Sequence, residues 1–304
     1  MNYISNLHRV LSEKHFAVTA EIGPPKGSDS SIITHKGELL KGYADAYNIT
    51  DNQTAVVRMS SLAGSILLLK IGLEPIMQLT CRDRNRIALQ SDILGASAIG
   101  IRNLLLLTGD HQSMGSHPQS KGVYDIDSIQ LIQIARNMRD KGVFQNGEEI
   151  PKGKPDVFIG GVANPFATPL EARIIRLEKK IEAGVDFIQT QSVFNLDRFQ
   201  EWIDAIRSIG VDKKVYILAG VTPLKSIRMM QRMRFHVPGV DIPQEIADRI
   251  ENAEDPKEEG YNIAVEILDE LKKINGIHGV HITALFWEDI IPKLIKEVNL
   301  YPRP

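Results

Sequence analysis

Short apolar runs along this sequence end in polar side chains whose types define the chemistry on offer. Glu21 closes Phe16-Ala17-Val18-Thr19-Ala20 and precedes Gly23-Pro24-Pro25. Other runs end in Thr50-Asp51-Asn52-Gln53, Gln78-Leu79-Thr80-Cys81, Thr108-Gly109-Asp110-His111, Val162-Ala163-Asn164-Pro165, Thr190-Gln191, Thr222 and Thr283. Such groups hydrogen-bond well and carry little charge, which suits a large polar aromatic ligand better than a metal ion or a polyanion. Glu21, held by a stiff Pro-Pro turn, is a candidate general acid; the plainer alternative is a carboxylate salt-bridged to a neighbour. Asp110 is the second acidic candidate, with a turn-capping role as its alternative. Gly109 before it would let the backbone approach a flat ring closely.

Other chemistries find no support. No His-x-x-x-His pair and no metal-ligand spacing of Asp and His occurs, so no metal is expected. A nucleophile elbow, a G-x-G-x-x-G turn and a Walker loop are all missing. The single cysteine, Cys81, excludes an internal disulfide or a cysteine-built metal site and reads as a small buried hydrophobe. The formal net charge of -2 argues against nucleic acid or an anionic membrane as the main partner. No apolar run approaches the roughly 20 residues that span a bilayer. A basic segment followed by an apolar one is not found at the N-terminus, so a cytoplasmic location is expected.

The elements that must position these residues alternate in type. Apolar runs at 16–20, 44–50, 75–80, 104–107, one that begins at 157–159, and 186–191, 215–219 and 280–283 read as eight strands. Leu104-Leu105-Leu106-Leu107 is apolar throughout, as a parallel strand buried on both faces should be. Leu131, Ile134, Ala135 and Met138 share one helical face that stops at Gly142, and Ile174, Leu177 and Ile181 share another before Gly184. Strands alternating with helices imply a parallel sheet with right-handed crossovers. Eight is the number that closes a (β/α)8 TIM barrel, with a doubly wound open sheet as the competitor. In such a barrel the site lies at the C-terminal strand ends, where the polar residues above converge. The expectation is one catalytic domain over 1–304 with no C-terminal regulatory domain. Segments 109–125 and 145–155 read as a long loop and a surface excursion.

Six segments in register resemble the methylenetetrahydrofolate reductase family. They are Thr19-Ala20-Glu21-Ile22-Gly23-Pro24-Pro25, Gln78-Leu79-Thr80-Cys81, Leu107-Thr108-Gly109-Asp110, Ala163-Asn164-Pro165, Leu177 to Gly184 followed by Thr190-Gln191, and Ala219-Gly220-Val221-Thr222-Pro223. The resemblance implies reduction of 5,10-methylenetetrahydrofolate to 5-methyltetrahydrofolate, a step of one-carbon metabolism that supplies methionine. It implies a flavin, FAD or alternatively FMN, lying across the strand ends. Glu21 would protonate N10 of the folate, and Asp110 would stabilise the resulting iminium near the flavin. Gln191 would hydrogen-bond the pterin. Flavin contacts would come from Thr50, Gln78, Gly109, Asp110, Asn164, Thr168, Arg176 and Lys180, with Lys179 beside them and Lys180 at the diphosphate.

The sequence departs from the family pattern at Gln78 for histidine, Thr108 for arginine, Asn164 for tyrosine and Trp287 for arginine. These changes bear on the flavin type and on the donor, which could be NADH, NADPH or a redox protein. A homo-oligomer is expected. Two alternatives stay open: a flavin subunit fed by a companion subunit, and a non-redox folate-binding or methyl-transfer barrel.

Overall fold

The computed structural model describes residues 2–304 and shows a closed parallel barrel. Its eight strands are β1 Ala17–Ile22, β2 Ala46–Ile49, β3 Pro75–Thr80, β4 Asn103–Leu107, β5 Phe158–Ala163, β6 Phe187–Ser192, β7 Tyr216–Val221 and β8 Gly279–Ile282. Each pairs with its neighbour in sequence, and β8 closes onto β1 through Ala17↔Gly279 to Ala20↔Ile282. The open doubly wound sheet is thereby excluded. One expected limit shifts in a way that matters. β1 runs on through Glu21, paired with Asn48, so the acid sits inside a strand rather than after one. The strand expected to begin at 157–159 runs as β5 through Gly160 and Gly161 to Ala163, and position 160 is glycine where Phe187 fills the space that a side chain would need.

Eleven helices accompany the strands among the described residues: α1 Asn6–Ser12, α2 Ser31–Leu40, α3 Ser61–Lys70, α4 Arg86–Ala98, α5 Ser128–Arg136, α6 Leu170–Ala183, α7 Leu196–Ser208, α8 Ile227–His236, α9 Gln244–Asn252, α10 Pro256–Leu271 and α11 Ile290–Glu297. The helical face read over 131–138 belongs to α5, whose start carries a full capping box between Asp127 and Gln130. Its last expected turn is a separate π-type segment, Asn137–Lys141, which ends at Gly142. α6 stops at Gly184 with φ 103°, the left-handed C-cap that glycine adopts without strain. The 145–155 excursion folds back through an isolated bridge between Val143 and Glu149.

Two apolar layers hold the barrel. The outer one lies between strands and helices and takes in most of the buried residues. The inner one stacks Ala17, Ala46, Ile76, Leu105, Phe158, Phe187 and Leu218 inside the barrel. Helix α1 plugs its N-terminal end with Leu7, Val10 and Leu11. The Glu74 carboxylate receives the Asn6 and Leu7 amides at 2.6 and 3.0 Å, fixing this plug. With that end sealed, the C-terminal mouth is left for ligand.

Candidate active site

Two joined pockets of about 420 and 960 Å³ occupy the mouth. They share a wall made of Glu21, Gln53, Gln78, Leu107, Val162, Thr190 and Gln191. Glu21 is thus the buried carboxyl at their junction. Its Oε1 accepts from Gln53 Nε2 at 3.4 Å, and its Oε2 lies 3.9 Å from His281 Nε2. For the salt-bridged alternative, the described residues place no lysine or arginine within 4.0 Å of the Glu21 carboxylate; the ionisable partner there is His281.

The smaller pocket collects most of the expected cofactor residues: Thr50, Gln78, Gly109, Asp110, Asn164, Arg176 and Lys180. Gly109 has φ 91°, and a Cβ there would meet Arg82 and Thr80 at 3.1 Å, so the chain turns where only glycine fits. Asp110 is exposed; its Oδ2 accepts from Thr54 N at 3.0 Å, while its backbone oxygen accepts from Arg82 and Tyr124. Thr50 is buried and its Oγ1 has no hydrogen-bond partner among the described residues. A buried hydroxyl left unpaired costs free energy unless a ligand satisfies it. Lys180 is buried, and its Nζ donates to Val162 O. Burial, and then the nearby Arg176 charge, push its pKa down to about 8. Arg176 is exposed and forms no ion pair among the described residues.

Gln191 lines both pockets and donates from Nε2 to Pro238 O at 3.2 Å. Two expected residues fall elsewhere. Thr168 and Lys179 are exposed and line neither pocket: Thr168 precedes α6, and Lys179 sits on the helix face turned away from the barrel. His111 is exposed and stacks on Tyr124, centroids 6.4 Å apart. Cys81 is buried, with its thiol pushed up to about 12 by burial, first, and by Asp127. Trp287 is buried in the outer apolar layer under Lys257, so the position compared with a family arginine does not face the pocket.

The structure adds groups that the motifs missed. Asp51 accepts from Thr80 N and Oγ1, both at 2.9 Å, and from Arg84 at 2.7 and 3.2 Å, which makes it a brace for the β2 and β3 ends. The larger pocket is more basic than the strand ends alone indicated. Lys26, Lys36, Arg58, Lys225, Arg228 and Arg232 line it, against Glu21 and Glu288. These cations come from loops, from α2, which carries Lys36, and from α8, where Arg228 and Arg232 share a face at i and i+4. His281 points inward two residues before Thr283, and that alternation was a usable signal.

The fold and this mouth define a ligand-binding (β/α)8 barrel whose polar C-terminal site holds a buried acid between two pockets. The chain belongs to the methylenetetrahydrofolate reductase family, whose profile matches residues 6–299. A probable methylenetetrahydrofolate reductase (NADPH) of Caenorhabditis elegans is 22% identical over 97% of this chain and 44% of that protein. Methylenetetrahydrofolate reductase (NADH) 1 of Arabidopsis thaliana is 26% identical over 94% of this chain and 48% of that protein. The chain therefore spans less than half the length of these relatives. Among solved structures, an uncharacterized protein from Clostridium thermocellum that binds two copies of 5-methyl-5,6,7,8-tetrahydrofolic acid superposes with a TM-score of 0.69. It is 15% identical, covering 97% of this chain and 99% of that one, and the likeness is one of fold. No helix among the described residues is long and apolar enough to cross a membrane.

Proposed function

We propose that this chain reduces 5,10-methylenetetrahydrofolate to 5-methyltetrahydrofolate with a bound flavin. The reading rests above all on Glu21, a buried carboxyl in the wall shared by two pockets. The smaller pocket fits a flavin: Thr50 offers an unpaired hydroxyl, Gly109 a close backbone, and Arg176 and Lys180 cations for phosphate. When bound, the flavin, FAD or FMN, supplies the hydride that becomes part of the product methyl group.

The protein's own groups do the rest. The larger pocket holds the folate, with Gln191 reaching the pterin from the junction. Glu21 delivers a proton to N10, the N10–methylene bond breaks, and an iminium remains at N5. Asp110, at the edge of the smaller pocket, stabilises that positive charge. Lys180 holds an anion best when protonated, and a phosphate beside it would restore the charge that burial disfavours. Thr168 has no part in this assignment.

The donor that reloads the flavin is NADH, NADPH or a redox protein; the relatives' names divide between the two nucleotides. A second reading is favoured by the continuity of the two pockets: a barrel that binds two pterins and no flavin, as the Clostridium protein binds two folates.

The visible spectrum of the purified protein, recorded before and after adding 5-methyltetrahydrofolate without oxygen, separates the two. A flavin band that bleaches supports reductase chemistry. No band after reconstitution with FAD or FMN overturns it and promotes the two-pterin reading. A band that persists calls for a companion subunit or another pterin, tested by adding cell extract fractions and candidate donors.

A further inference from the structure

The two acids assigned to the chemistry sit on strands that do not pair with each other. Glu21 lies in β1 and Asp110 follows β4, with β2 and β3 between them in the ring. Neither a shared ladder of backbone hydrogen bonds nor a common helix sets the distance from one carboxyl to the other. A single turn after β2 reaches both. Gln53 Nε2 donates to Glu21 Oε1 at 3.4 Å, and the amide of the next residue, Thr54 N, donates to Asp110 Oδ2 at 3.0 Å.

That turn is held in a conformation its residues do not choose. Asn52, Thr54 and Ala55 have φ of 47°, 55° and 55°, in the left-handed region. Asparagine tolerates it, whereas threonine, branched at Cβ, is rarely found there. Neighbours impose the shape: Asn52 Oδ1 accepts from Arg58 N at 3.0 Å, and Ala55 O accepts from Ser116 N at 3.3 Å. The buried Arg82 donates to Asn52 O and to Asp110 O, both at 3.2 Å, which ties the turn to the β4 end. Gly115 leaves room for this contact, since a Cβ there would lie 1.9 Å from Ala55 O. A strained backbone over-determined by its surroundings in this way is characteristic of functional sites.

We propose that turn 52–55 registers the two acids, with Gln53 the positioning residue for Glu21 and the Thr54 amide the anchor for Asp110. This role rests on the proposed function, which makes Glu21 the proton donor and Asp110 the stabilising carboxylate. Gln53 lines both pockets, so its amide stands where the two ligands would meet. A glutamine suits an acid that must change state. Its NH2 donates to the carboxylate, and its carbonyl, after a half-turn of the amide, accepts from the carboxylic acid. One carboxyl oxygen is therefore held before and after the proton leaves, and Oε2 is left for N10. The proton at N10 and the charge at N5 belong to one bond-breaking step, so both carboxyls must be in place together. A misplacement of about 1 Å can cost about a hundredfold in rate.

The anchor is tested in flavin-free protein by hydrogen exchange at the Thr54 amide, followed by NMR. Exchange should quicken about tenfold in Asp110→Ala, as expected when a hydrogen bond to a charged acceptor is lost. Equal exchange in wild-type protein and variant overturns the anchor. The positioning role is tested with Gln53→Met, which keeps the length of the side chain and removes its amide. The rate at which methylenetetrahydrofolate oxidises the reduced flavin should fall at least about tenfold, with flavin content and affinity for 5-methyltetrahydrofolate unchanged. A rate near that of the wild type, or a loss confined to affinity, overturns the role. Added to Glu21→Gln, the Gln53→Met change should slow the reaction no further, because a residue that acts through Glu21 has nothing left to place. A second loss of the same size in that double variant sinks the proposal, since Gln53 would then act independently of the acid. Wild-type protein without flavin chemistry would defeat the proposed function itself, while the exchange result still decides whether the turn holds Asp110.

Discussion

Lys180 shows how a single side chain can be unfavourable for folding and useful for binding. It is buried with no acidic partner in contact among the described residues, and its folded pKa of about 8 lies below the ordinary value of 10.5. The unfolded chain therefore holds this proton more tightly than the folded one. The penalty is present in full below about pH 8 and is relieved as pH rises toward about 10.5, amounting to roughly 3 kcal/mol at one pKa unit per 1.4 kcal/mol. Lys180→Met is expected to raise the melting temperature of ligand-free protein at pH 7. That gain should shrink as the melts are repeated toward pH 10, while flavin affinity falls. Equal melting temperatures at both pH values would mean the lysine is not strained. Glu21→Gln tests the neighbouring role: flavin should remain bound, and folate-dependent turnover should drop at least about a hundredfold. Near-normal turnover would remove Glu21 from the mechanism.

At the scale of elements, the mouth depends on strands that approach closely without clashing. Gly160 on β5 faces the Phe187 ring of β6, where an added Cβ would come within 2.3 Å of Cζ. Phe187 in turn stacks on Phe158, centroids 5.2 Å apart, so the ring has little room to retreat. Gly160→Ala should cost about 1–3 kcal/mol, as overpacking of a filled core does. Urea unfolding measures this, and Phe187→Leu in the same chain should recover part of the loss. If the double variant is no more stable than the single one, the clash is not the cause. β5 also carries Val162, whose carbonyl receives Lys180, and leads to Asn164, so a distorted β5 should weaken flavin binding as well.

For the molecule as a whole, the closed barrel is sealed at its N-terminal end by contacts far apart in sequence. Arg303 donates to Asp45 through Nη2 at 2.6 Å and Nε at 3.1 Å, and to Phe16 O at 2.8 Å. Asp45 is buried and also accepts from Val18 N at 2.7 Å, which ties the last residues to the β1 and β2 starts. Arg303→Met would leave that carboxylate underpaired and should destabilise by about 3–5 kcal/mol, read by chemical denaturation. The flavin spectrum at low temperature should be unchanged, because the contact lies at the opposite end from the site. A loss below about 1 kcal/mol would show that the pair is as weak as a surface one.

Much of this was determined by the sequence alone. Eight apolar runs, each too short to be a helix of ordinary length, mark eight strands within a few residues, since burial on both faces demands continuous apolar character. The polar ends of those runs located the mouth and brought Glu21, Asp110, Thr50, Gln78, Asn164, Arg176, Lys180 and Gln191 to its pockets. What only the tertiary structure decided concerns direction and distance. Lys179 and Lys180 are identical in type and adjacent, yet one faces solvent and the other the core, because successive helical residues point about 100° apart. Thr168 and Trp287 are near the site in sequence but turn away from it, one to the surface and the other into the outer layer. His281 and Glu21, 260 positions apart, come within 3.9 Å because β8 closes against β1. No local pattern encodes that closure; it follows from completing the ring of backbone hydrogen bonds, which leaves no strand edge unpaired.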